Sequence, residues 1–264
     1  VLRVPFIVHT SLGHEIAHCW WGNGVYVDYA TGNWSEGLTS YVADYLFKEM
    51  KSEKAALDAR RQWLRNFATL IQPDNDFALS RFQSRYNPVT KTIGYDKSAM
   101  VFHMMRRLIG EEAFWGSLRD LYQTRRYRPT SWADLQRTFE IRGKRSLQNF
   151  FDQWVYRKGA PQFSLDAVSA DRTGNGWRIT GRIAQDEPVY EFPLALVLET
   201  AKQTITQTVT VSGPVTPFEL TSAHRPLKLV ADPTDDVFRR LAPSEIPPAV
   251  NALKGSPSVI TVLA

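Results

Sequence analysis

Two histidines and two glutamates near the start of the chain have the types and spacing for metal chemistry. They are His14, Glu15 and His18 in the run "HEIAHCWWGN", and Glu36 in "NWSEGLTSYVADYL". Histidines four apart on a helix project from one face, one turn above the other, close enough for both imidazoles to bind a single ion. Glu15 projects beside them. Such a His-Glu-x-x-His segment offers two nitrogen ligands for zinc and a nearby carboxylate that can take a proton from water. A tetrahedral catalytic site needs a third protein ligand and leaves its fourth position open. Glu36, reached after seventeen intervening residues that can turn and return, is the candidate.

The plainer alternative is a polar helix face in solvent. Against it, the other residues of the segment (Leu12, Ile16, Ala17, Trp20 and Trp21) are apolar and expected to be buried. Burying two imidazoles and a carboxylate without a partner is costly, and a metal removes that cost. The reading is one zinc ion per chain.

The elements that must hold these residues follow from periodicity. From His9 to about Lys158 apolar residues recur at helical spacing, and roughly seven helices fit. Thr10 and Ser11 are candidate caps for the first, and Ser35 for the second. "SEKAALDARRQWLRNFATLIQ" is amphipathic and ends at Pro73, "YDKSAMVFHMMRRLIG" closes on Gly110, and "TSWADLQRTFE" opens with a Ser-x-x-Asp capping pattern. After "GAPQ" the period becomes two: Trp177, Ile179, Ile183; Leu194, Leu196, Leu198; Ile205, Val209, Val211; Leu227, Leu229. The expected fold class is α+β, a mostly helical catalytic subdomain over 1–159 followed by a small antiparallel β-sandwich over 160–235. The Pro-rich stretch 236–264 reads as a linker or the start of a further domain.

With 264 residues and 43% hydrophobic content, the chain can bury one large or two medium cores. Its 32 basic and 27 acidic residues are interspersed, and the one dense basic run, "RRYR" at 125–128, reads as a solvated helix end. No nucleic-acid partner is expected. No apolar run approaches the eighteen or so residues that a spanning helix needs. A single cysteine excludes an internal disulfide and leaves the compartment open.

The segments "HEIAHCWWGN", "VYVDYATGNWSEGLTSYVADYL" and "TIGYDKSAMVFHMMRRLIGEEAFW" resemble the catalytic domain of the M1 zinc metallopeptidases, the aminopeptidase N and leukotriene A4 hydrolase group. In that family His-Glu-x-x-His is followed by Glu-Gly after eighteen residues, and some sixty residues later by a tyrosine in a Tyr-x-Lys segment. The resemblance implies a thermolysin-like helical subdomain, with His14, His18 and Glu36 as zinc ligands and Glu15 as general base. It gives Tyr95 the role of oxyanion stabiliser and a peptide as the substrate. By itself Tyr95 is one of ten tyrosines and reads as a packing residue at a helix start. The gap here is one residue shorter than the family's, and the difference is expected in the loop between Asp28 and Trp34. The family's Gly-x-Met-Glu-Asn segment, which grips a free amino terminus, normally precedes the zinc motif by some thirty residues. Nothing precedes Val1, so the chain is expected to be a fragment that starts inside the catalytic domain.

Further residues carry weaker readings. Asp28 either accepts a hydrogen bond from a ligand histidine or ends the turn after "VYV", and Thr39 and Ser40 are lesser candidates for supporting the ligands. His103 reads as a packed histidine, Cys19 as a small buried hydrophobe, and Met100, Met104 and Met105 as core filling. His9 and His224 have no partner pattern. The leading function is zinc-dependent removal of N-terminal residues from peptides. The alternatives are a zinc endopeptidase and a catalytically silent interaction module of the same architecture.

Overall fold

The computed structural model describes residues 11–246. The chain divides into two compact units: one runs to Gly159 and resumes at Leu241, and the other is Ala160–Arg240. Together they are helical and antiparallel-β, an α+β chain. His9, Thr10 and most of the stretch 236–264 lie outside the described residues. Among those described, no helix is long and apolar enough to cross a membrane.

The helical unit opens with α1 (Leu12–Ala17), which carries His14 and Glu15 and ends with His18 as its C-cap. Trp21, Gly22 and Val25 then turn the chain, Gly22 at φ 115° in the region that favours glycine. β1 (Tyr26–Val27) pairs in parallel with β2 (Pro129–Thr130). Helix α2 (Ser35–Thr39), a π-helical turn (Ser40–Tyr45) and α3 (Leu46–Lys51) follow without a break. The expected Ser35 cap is displaced: Trp34 is the N-cap, and the Asn33 side chain accepts from both the backbone N–H and the hydroxyl of Ser35. An Asx turn before the helix has taken over the work of a serine cap. Ser52 caps α4 (Glu53–Leu70) by accepting from the Ala55 N–H, as its position suggests.

A capping box of Asn87 and Thr90 starts α5 (Pro88–Lys91), which runs through a second π-helical turn (Thr92–Lys97) into α6 (Ser98–Ile109). Tyr95 therefore sits within a continuous helical run rather than at a helix start. Helix α6 is the buried centre of the unit, with Met100, Val101, Phe102 and Met105 fully enclosed, and it stops at Gly110, φ 88°. Helix α7 (Glu111–Arg125), α8 (Trp132–Gly143) with its Ser131–Asp134 capping box, and α9 (Gln148–Phe151) with a third π-helical turn (Asp152–Tyr156) complete the shell. At the basic run, Arg125 closes α7 and pairs with Asp134 at 2.5 Å.

The second unit holds two three-stranded antiparallel sheets. One has the order β3 (Phe163–Thr173), β4 (Gly176–Gln185), β7 (Val215–Ser222). The other has the order β6 (Thr204–Val211), β5 (Phe192–Thr200), β8 (Pro226–Ala231). Alternation fixes which face is covered: Phe192, Leu194, Leu196 and Leu198 of β5 and Ile179, Ile183, Phe218 and Leu220 of the other sheet are buried. Phe163 meets Phe192 from the opposite sheet with ring centroids 5.6 Å apart. Leu227 departs from this pattern. It lies on the edge strand β8 and is 65% exposed.

Candidate metal centre

The structure brings His14, His18 and Glu36 to one point. His14 Nε2 and His18 Nε2 are 3.2 Å apart, and each lies 3.3 Å from the same carboxylate oxygen of Glu36. Two histidines from α1 and its cap thus face one glutamate from the first turn of α2. Each of the three offers a ligand atom within 4.8 Å of the others. A zinc ion with bonds of about 2.0–2.1 Å in tetrahedral array requires donors about 3.3–3.4 Å apart, and this set has that edge length. The donor types, two neutral-capable imidazoles and a carboxylate, also suit zinc. The residues fit the ion.

Each histidine is held from behind. His14 Nδ1 lies 2.9 Å from Asp44 Oδ2, and His18 Nδ1 lies 2.8 Å from the Trp21 carbonyl. Both far nitrogens are therefore N–H donors, which leaves both Nε2 lone pairs pointing at the common site. The sequence reading did not include Asp44. It lies eight residues beyond Glu36, and the π-helical turn between them sets the face it occupies, so ordinary helical counting is a poor guide to it. Asp28 instead caps a 3-10 turn (Tyr29–Thr31) by accepting from Ala30 N–H, which is the turn-ending alternative. Thr39 Oγ1 stands 3.5 Å from His18 Nδ1, secondary to the Trp21 carbonyl. Ser40 lines the cleft.

The same geometry sets the proton affinities of the metal-free site. Burial opposes the His14 imidazolium, but hydrogen bonds to Asp44 and Glu36 outweigh it and raise its pKa to about 9. Burial likewise opposes the Glu36 carboxylate, yet its bonds to His14, His18 and Tyr95 hold its pKa down at about 2. The bond to Glu36, against burial, raises His18. Burial and then the Glu36 charge push the Tyr95 phenol above its usual value, so it remains a proton donor at neutral pH.

Tyr95 comes to the site from the second π-helical turn. Its ring lies parallel to His14 at 6.0 Å, and its hydroxyl donates to Glu36. Two glycines permit this approach. A Cβ on Gly37 would lie 1.9 Å from Ser98 Oγ, and one on Gly94 would lie 2.1 Å from the Phe82 ring, which itself stands edge-on to Tyr95. Glu15 is exposed and lines the cleft beside the histidines. The cleft measures about 730 Å3.

Some sequence expectations are corrected here. Ile16 and Trp20 are 49% and 46% exposed, and Cys19 is exposed as well, so of the apolar residues around the motif Trp21 alone is buried. The helix ends at Ala17 and presents its polar face to Glu36 and Asp44, which turns the apolar residues outward. The metal reading accordingly rests on the convergence of donors, not on the burial of their neighbours. His103 is packed, with Nδ1 3.3 Å from the Tyr41 hydroxyl and its ring against Tyr41 and Tyr45. Met100, Met104 and Met105 are core residues.

The Peptidase family M1 domain model matches residues 7–154. Aminopeptidase M1-B of Oryza sativa subsp. japonica is 28% identical over 163 residues, covering 58% of this chain and 18% of the relative. Aminopeptidase N of Bos taurus is 29% identical over 186 residues, covering 60% of this chain and 18% of its own length. The chain spans about a fifth of the length of the curated relatives it matches. Among solved structures, aminopeptidase A of Legionella pneumophila, crystallised in complex with aspartic acid, has a similar fold, with a TM-score of 0.66 and 18% identity. That match covers 91% of this chain and 27% of the other.

Proposed function

The chain belongs to peptidase family M1, and from that premise we propose that it hydrolyses peptide bonds, removing residues from peptide N-termini, at one zinc ion held by His14, His18 and Glu36. The observation that carries this reading is the meeting of two Nε2 atoms and one carboxylate oxygen at 3.2–3.3 Å, with both far nitrogens engaged by acceptors. When bound, zinc supplies Lewis acidity for the scissile carbonyl and lowers the pKa of water toward about 7.

The chain's own residues supply the rest. Glu15, next to the ligand His14 and open to the cleft, accepts the proton of the attacking water and returns it to the leaving amine. Tyr95, kept protonated by burial and by Glu36, donates its hydroxyl to the oxyanion as charge develops there. Asp44 holds the His14 ring in the tautomer and orientation that leave Nε2 free for the ion. The names of the relatives, aminopeptidases, support the choice of peptide N-termini.

The test compares zinc-loaded protein on peptides with free and with acetylated N-termini, alongside Glu15→Gln. Faster hydrolysis of the free peptides, reduced about 10²- to 10⁴-fold in the variant with zinc content unchanged, supports the reading. Equal rates on both peptides would remove the exopeptidase part. An active Glu15→Gln protein would remove the proposed role of Glu15.

A further inference from the structure

The charges lining the cleft are mostly matched to one another. His14 is paired with Asp44 and Glu36, His18 with Glu36, and Lys91 with the buried carboxylate of Asp96, which also accepts from Asn66 at 2.8 Å. Beyond Glu15, which the chemistry uses, two charged side chains of the cleft have no hydrogen-bond or ion-pair partner among the described residues: Arg85 and Lys48. They belong to different walls. Lys48 is on α3, one turn beyond Asp44, whereas Arg85 precedes the helical run that carries Tyr95. Arg85 lines the same cleft as Tyr95 and Asp96.

The backbone around Arg85 is fixed on both sides. Before it, the Gln83 side chain donates to the Tyr29 carbonyl at 2.7 Å, and the Gln83 carbonyl accepts from Asn33 at 3.1 Å. After it, the Tyr86 N–H donates to Thr90 Oγ1 at 2.9 Å, inside the capping box of α5. The pinned backbone places the root of an exposed guanidinium in the cleft, and the side chain is ordered only when a ligand is bound. Its planar fork suits a carboxylate, which is the anionic group that peptides carry.

We propose that Arg85 is a specificity-determining residue that engages a carboxylate of the bound peptide and makes the cleft prefer acidic ligands. This rests on the peptidase reading above. The carboxylate has two possible sources, an Asp or Glu side chain near the scissile bond or the C-terminus of a short peptide.

The test measures affinity rather than turnover. Zinc-loaded Glu15→Gln protein, with Arg85 intact or with Arg85→Gln, is titrated calorimetrically with tetrapeptides. The peptides carry Glu or Gln at the second residue, each with a free or amidated C-terminus. Arg85 should favour the peptide bearing the critical carboxylate by about five- to tenfold, between the upper end for an exposed ion pair and the low end for a charge-assisted hydrogen bond. Arg85→Gln should abolish that preference, while Lys48→Gln should leave it. Loss on Glu-to-Gln exchange in the peptide assigns the side chain, and loss on amidation assigns the terminus. Equal affinities for all four peptides, no measurable binding of any, or a preference that survives Arg85→Gln overturns the proposal. Hydrolysis by the Glu15-containing protein is read separately, so failure of the Arg85 assignment is distinguishable from failure of the peptidase reading.

Discussion

Asp44 is the residue whose role separates a built metal centre from a coincidence of spacing. It lies 2.9 Å from His14 Nδ1 and fixes which nitrogen of that ring faces Glu36. Asp44→Ala is expected to weaken zinc affinity about 10- to 100-fold without unfolding the chain, as measured by competition with a chelator. An unchanged affinity would mean that His14 is oriented by packing alone. At this scale the sequence was a good guide wherever helical spacing carried the information. His14, Glu15, His18 and Glu36 are legible from residue type and spacing, whereas Tyr95 became legible through the resemblance to a family. Asp44 was not legible, since its face depends on a π-helical turn that no propensity announces. Arg85 was missed because a lone exposed arginine carries no pattern. It becomes notable only when most of the other charges of the cleft are seen to be paired.

The elements meet at this site through close helix approaches. Gly37, immediately after the candidate ligand Glu36, lets α2 lie against the start of α6 where Ser98 would otherwise collide with a Cβ. Gly37→Ala should therefore cost about 1–3 kcal/mol of stability, an overpacking penalty, measurable by denaturant unfolding. Pairing it with Ser98→Gly should recover most of the loss, because Ser98 is the atom group in the way. Failure of the second change to rescue the first would place the strain elsewhere. The same scale shows where sequence reading goes astray. Apolar residues on and just after α1 were expected inside, and Ile16 and Trp20 are exposed, because that helix is positioned by its polar face. Local rules of burial give way where a functional site claims the inward face of an element. Helices and strands away from the site, such as α8 with its Ser131–Asp134 box and the alternating β5, follow those rules closely.

Across the whole molecule, the proton and metal equilibria of the site are linked to the stability of the helical unit. In the metal-free chain the raised His14 pKa stabilises the fold fully below about 6.5, and this contribution is lost as pH rises through about 9. The lowered Glu36 pKa contributes above about 4.5, and its share is lost as pH falls through about 2. With His14 as a proposed ligand, zinc would have to displace its proton, so binding is expected to strengthen as pH rises toward 9. The rise in unfolding temperature on adding zinc should thus be larger at pH 8 than at pH 6, and calorimetry at the two values checks this. A rise that is larger at pH 6 would contradict the assignment of His14 as a ligand. The β unit, Ala160–Arg240, contains none of the proposed ligands, so a transition belonging to it should not move with zinc.

The most direct test of the account is elemental analysis of purified, metal-replete protein, with a His18→Ala variant prepared in parallel. The arrangement of His14, His18 and Glu36 predicts about one zinc per chain, lost in the variant. A chain without zinc, or a variant that keeps it, would contradict the metal centre on which the proposed chemistry depends.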